Sequence, residues 1–79
     1  MTVRVLFFGA TADAVGERAS SVHVPDNTPA AAVVDQVVAS HPTLARHKLL
    51  FAVNEEYVPT DTIVRDGDEL AIFTAVSGG

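Results

Sequence analysis

Apolar and polar positions alternate along Thr2 to Phe8, TVRVLFF: Val3, Val5 and Phe7 share one face, and Arg4, Leu6 and Phe8 share the other. Its β-branched and aromatic residues predict a strand. In GATADAVG the alanines suit a short helix that Gly16 can close in the left-handed conformation. SSVHVP reads as a second strand ended by Pro25. Thr28-Pro29 predicts a helix start, with the Thr hydroxyl as cap and a proline that lacks the N–H the first turn would leave unpaired. The helix runs through AAAVVDQVVASH to Pro42, with Val33, Val34, Val37 and Val38 on one stripe and Asp35 and Gln36 turned away. LLFAVN, from Leu49 to Asn54, reads as a third strand. NEEY reads as a tight connection into a short strand at Tyr57-Val58. RDGDE is a turn, since Asp-Gly supplies positive φ, and it launches the last strand, ELAIF.

One long amphipathic helix cannot cover both faces of a four- or five-stranded sheet, so the pattern predicts a two-layer α+β domain. A mixed sheet of four to five strands packed on one long helix is the ubiquitin-like β-grasp arrangement. The competing ferredoxin-like arrangement needs a second long helix, which the pattern does not supply. With no linker, repeat or low-complexity stretch, residues 1–79 read as a single domain, and 74–79 as an extended tail.

Composition narrows the chemistry. Hydrophobic residues make up 48% of the 79 and charged ones 19%, enough for a core in a chain of this size. The absence of cysteine removes disulfides, thiolate catalysis and Cys-based zinc sites together. A formal net charge of −5 repels phosphate backbones, so no nucleic-acid partner is expected. No apolar run reaches the roughly 20 residues that span a bilayer, and the first residues lack the basic start of a signal peptide, so no membrane partner is expected and the expected location is cytoplasmic.

The sequence finishes AVSGG. Glycine has no Cβ, so Gly78-Gly79 can pass through a channel too narrow for side chains. Such an end delivers a carboxylate, a poor acyl donor until adenylation by ATP turns it into a mixed anhydride that a sulfur nucleophile can attack. The product, a thiocarboxylate, carries sulfur on the main chain and needs no cysteine. The competing reading is a frayed terminus without chemistry.

Other motifs carry less. His23, His41 and His47 are scattered without ligand spacing, so no metal site is expected. Asp66, Asp68 and Glu69 resemble a fragment of a calcium loop, but turn chemistry explains them. Ser20, Ser21 and Ser77 have no evident base, and GATADAVG is too sparse in glycine for a phosphate loop. No catalytic residue of its own is expected.

VRVLFFG, LLFAVNEEYV, DGDELAIF and the final SGG occur in this order over essentially the whole chain, which thereby resembles the small, sulfur-carrying subunit family of molybdopterin synthase. The resemblance implies a β-grasp carrier whose Gly79 is adenylated and converted to a thiocarboxylate, with Gly78 giving clearance. It implies as partners a ubiquitin-activating-type adenylyltransferase that consumes ATP, a sulfur donor protein, and the large synthase subunit, in a heterotetramer. Sulfur then passes to cyclic pyranopterin monophosphate in molybdenum cofactor biosynthesis. No cofactor bound to the carrier is implied. The chain departs from the family pattern at Ala12, where a basic residue is usual, and at Thr74-Ala75, where prolines are.

A carrier needs a docking surface. Strand parity puts Leu6 and Phe8, and Ala71 and Phe73, on the face marked by Arg4 and Glu69, and Tyr57 can join them. The family's hydrophobic surface near its tail adds Val76, so the expected interface is Phe8, Tyr57, Phe73 and Val76. The alternative is that Phe8 is covered by the short helix and Phe73 by the tail. Other functions consistent with the same end are sulfur carriage for thiamine, cysteine or tRNA thiolation, a ubiquitin-like protein modifier, and a passive interaction module.

Overall fold

β1 (Thr2–Phe7) lies at the centre of the sheet because its alternating pattern gives it one wholly apolar face: Val3, Val5 and Phe7 are buried. The computed structural model describes residues 1–75. Along the chain β1 is followed by α1 (Ala10–Val15), β2 (Ala19–His23), α2 (Ala30–Ser40), a 3₁₀ turn (Pro42–Arg46), β3 (Leu49–Val53) and β4 (Glu69–Thr74). The strand order is β2-β1-β4-β3, with β1 parallel to β4 and both outer pairs antiparallel. This is the β-grasp: a mixed sheet holding one long helix on a single face.

β4 repeats the pattern of β1. Leu70 and Ile72 are fully buried and pair in register with Val5 and Phe7. The α2 stripe closes the core, with Val33 and Val37 buried and Val34 and Val38 partly so, and Asp35 and Gln36 exposed as expected. Leu44, carried by the 3₁₀ turn, is buried without residual exposure beside them. Gly16 closes α1 at φ 83° and Gly67 turns the chain into β4 at φ 85°, both in the region that favours glycine.

Three local expectations are corrected. Thr28 does not cap α2. Its hydroxyl donates to the Pro25 carbonyl at 2.6 Å, and Pro29 is the N-cap residue. The first helical N–H groups are satisfied from across the molecule, Ala30 N donating to Thr62 O at 2.7 Å and Ala31 N to Thr60 O at 3.0 Å. Tyr57 and Val58 form no strand. The NEEY connection is a tight turn with Asn54 and Glu55 at φ 49° and 69°, closed by reciprocal bonds between Val53 and Glu56, and pairing ends at that single bridge. Pro59 follows at once and has no N–H to extend a ladder. Finally, β4 runs through Thr74, which pairs with Leu49, so the strand takes one residue assigned above to the tail.

Candidate functional site

The face of the sheet turned away from α2 has no helix of its own among the described residues. Register decides what stands on it. Leu6 is beside Ala71, Ala71 beside Ala52, and Phe73 beside Leu50. Because directly opposed residues share a face, these side chains form one apolar surface across β1, β4 and β3. Leu50 is 36% exposed and Phe73 half-buried.

Tyr57 completes this surface. It is 77% exposed, and its ring meets that of Phe73 edge-on, with centroids 6.0 Å apart and planes at 69°. The tight turn at Asn54-Glu55 aims it there. Phe8 lies just beyond β1, 52% exposed, with its N–H donating to Ile72 O at 3.2 Å. It therefore follows the parallel register at the level of Phe73, and α1 does not cover it. Phe8, Tyr57 and Phe73 are thus on one face, with Tyr57 and Phe73 in contact. Val76, Gly78 and Gly79 lie outside the described residues.

β4 leads directly to the tail. Ala75 N donates to Lys48 O at 3.3 Å, so the chain is still held beside the start of β3 when it leaves the Phe73–Leu50 pair. A partner that covers this pair is brought to the root of the tail.

One polar side chain fixes the geometry. Thr11 is fully buried in α1, and its Oγ1 lies 2.7 Å from Phe8 O, 2.9 Å from Ile72 O and 3.0 Å from the Phe8 N–H that donates to it. It ties the segment carrying Phe8 to the strand carrying Phe73. Nothing in the local pattern marks it, since a Thr in an alanine-rich helix reads as solvent-facing. Leu50 was also missed, although the parity of LLFAV places it opposite Leu49, Phe51 and Val53.

Charge is confined to the margins. Arg4 and Glu69, paired in register, approach to 3.8 Å while both remain exposed, and Glu55 and Glu56 immediately precede Tyr57. Asp66 and Asp68 serve the turn: Asp66 Oδ1 accepts from Thr2 N at 2.7 Å, and Asp68 accepts from Arg65 N at 2.8 Å and Asn54 Nδ2 at 3.0 Å. Among the described residues no group of three His, Asp or Glu side chains is placed to hold a metal ion, and no helix is long and apolar enough to cross a membrane.

A β-grasp domain whose central strand runs from a bare apolar face into a glycine-ended tail has the build of a ubiquitin-like carrier. The chain belongs to the ThiS family, whose model matches residues 5–79. The molybdopterin synthase sulfur carrier subunit of Mycobacterium tuberculosis is 38% identical over 98% of this chain and 96% of its own length. The human protein of that name is 34% identical over 98% of this chain and 93% of its own length. Among solved structures, SAMP1 of Haloferax volcanii, a small archaeal modifier protein, superposes with a TM-score of 0.89 at 27% identity over the whole of both chains.

Proposed function

We propose that this chain is the sulfur carrier subunit of a molybdopterin synthase. The observation that carries the reading is the Phe73–Leu50–Tyr57 surface beside the end of β4, where Ala75 N donates to Lys48 O four residues before Gly79 in sequence. Relatives of that name, alike over nearly their full length, support it.

In this reading the Gly79 carboxylate attacks ATP on a ubiquitin-activating-type enzyme. Pyrophosphate leaves, and an acyl adenylate forms. Hydrosulfide supplied by a donor protein displaces AMP, forming the acyl C–S bond as the acyl–phosphate C–O bond breaks, and leaves a terminal thiocarboxylate. The large synthase subunit covers the outer face and takes in the tail. Gly78 gives the backbone clearance a narrow channel requires. Sulfur then passes to cyclic pyranopterin monophosphate, and water supplies the oxygen that replaces it at the acyl carbon, so the carboxylate is regenerated for another cycle. The carrier supplies a positioned reagent, and the catalytic side chains belong to the partner.

Reconstitution is the test. The thiocarboxylated chain, mixed with a large synthase subunit and cyclic pyranopterin monophosphate, forms molybdopterin with loss of its sulfur. Retention of the sulfur with an active large subunit contradicts this acceptor. The likeness to an archaeal modifier favours one second reading, transfer of the Gly79 acyl group to lysines of other proteins. That reading predicts amide-linked adducts instead of sulfur transfer.

A further inference from the structure

The antiparallel ladder between β3 and β4 extends one step past both strands. Ala75 N donates to Lys48 O at 3.3 Å, in the register that pairs Leu49 with Thr74 and Leu50 with Phe73. Lys48 and Ala75 are therefore directly opposed, with Cα atoms about 5.5 Å apart as in other hydrogen-bonded pairs of this kind. By parity both stand on the outer face with Leu50 and Phe73, and Lys48 is exposed. Lys48 is also the only lysine in the sequence. The other aliphatic amine, at Met1, donates to Val24 O at 2.9 Å. Because β1 runs parallel to β4 and Arg4 pairs with Glu69, Met1 lies at the opposite end of the sheet from Ala75, beyond the six residues of β4. That separation is about 20 Å or more. The sole lysine is the amine at the root of the tail.

We propose, building on adenylation of Gly79, that Lys48 is an internal acceptor for the activated acyl group, so that a carrier activated without sulfur closes into a ring. Lys48 Nζ attacks the Gly79 acyl carbon. The C–N bond forms as the bond from that carbon to the phosphate oxygen breaks, AMP leaves with the electron pair, and the proton of the amine passes to water. The product is an amide-linked ring with no terminal carboxyl left to take sulfur. Four residues, Val76 to Gly79, together with the lysine stem bridge the gap between Ala75 and Lys48. That is the span of a hairpin loop, which about two to five residues close between opposed strand ends. Gly78 and Gly79 sit next to the closing bond, and they turn without a Cβ clash. Closing so short a loop costs little chain entropy, so in dilute solution attack within the chain outruns attack by the lysines of other chains. A tail held extended in a partner's channel carries its carboxyl about 13 Å beyond Ala75, past the reach of the lysine stem. Ring closure therefore belongs to activated chain that has been released.

The test uses the full chain bearing an alkyl thioester at Gly79, which supplies an activated acyl group without the activating enzyme. At mildly alkaline pH the thiol is expected to leave and the intact mass to settle one water below that of the free chain, at a rate independent of protein concentration. Proteolysis is expected to yield a branched peptide joining Gly79 to Lys48. Lys48→Arg keeps the charge at an exposed position and is expected to hydrolyse to the free carboxylate with no ring formed. Hydrolysis without ring closure in the unaltered sequence, or a ring that persists in Lys48→Arg, overturns the inference. Because the thioester is installed chemically, either result is independent of whether the activating enzyme loads Gly79 with sulfur, which is read separately as a mass gain.

Discussion

The Thr11 hydroxyl, fully buried, lies 2.9 Å from the carbonyl oxygen of Ile72, sixty-one residues away in sequence. The contact holds α1 against the strand that carries Phe73. Replacing Thr11 with Val keeps the volume and removes the hydroxyl. Because Phe8 N still reaches Ile72 O, no buried donor is orphaned, and the expected cost is about 1–2 kcal/mol. For a domain of this size that lowers the melting temperature by roughly 4–16 °C, measured by circular dichroism. Thr11→Ser should recover most of the loss, and an unchanged melting temperature in Thr11→Val would contradict the role.

Leu44 is the plug of the 3₁₀ turn. Its fully buried side chain predicts a loss of about 2–5 kcal/mol in Leu44→Ala, a large share of the roughly 4–12 kcal/mol that a chain of this length commands. Urea unfolding reads it directly, and a loss below 1 kcal/mol would mean that the site collapses without a cavity.

Glu55 occupies φ 69°, where a side chain is strained and glycine is not. Glu55→Gly is therefore expected to stabilise the protein by up to about 1 kcal/mol despite the entropy glycine adds to the unfolded chain. Destabilisation would show that the Glu55 side chain contributes more than its backbone costs.

Tyr57 separates docking from folding. At 77% exposure its truncation to Ala loses only the edge-on contact with Phe73 and should cost about 1 kcal/mol or less of stability, while affinity for a large synthase subunit falls tenfold or more. Calorimetric titration with the partner, alongside a melting curve, distinguishes the two effects. Equal affinity in Tyr57→Ala would move the interface off this face.

Much of this was legible because β1 and β4 follow the period of the pleat. The alternation of VRVLF and ELAIF told inside from outside at Val3, Val5, Leu70 and Ile72, and the valine stripe did the same for α2. Long-range satisfaction of polar groups was not legible. Thr28 looks like a cap from its neighbours, but the carbonyls of Thr60 and Thr62, brought over by tertiary folding, take that role. Thr11 is hidden for the same reason, since its partners come from β1 and β4. Tyr57-Val58 has strand-like residues, but the pairing register ends at Glu56.

We propose that Gly79 carries sulfur as a thiocarboxylate. Intact-protein mass spectrometry tests it after incubation with a ubiquitin-activating-type enzyme, ATP and a sulfur donor, beside a chain lacking Gly78 and Gly79. A mass gain equal to replacing one oxygen by sulfur is expected in the full chain, and no gain in the shortened one. No gain in the full chain, with an enzyme shown to be active on a known carrier, would contradict it.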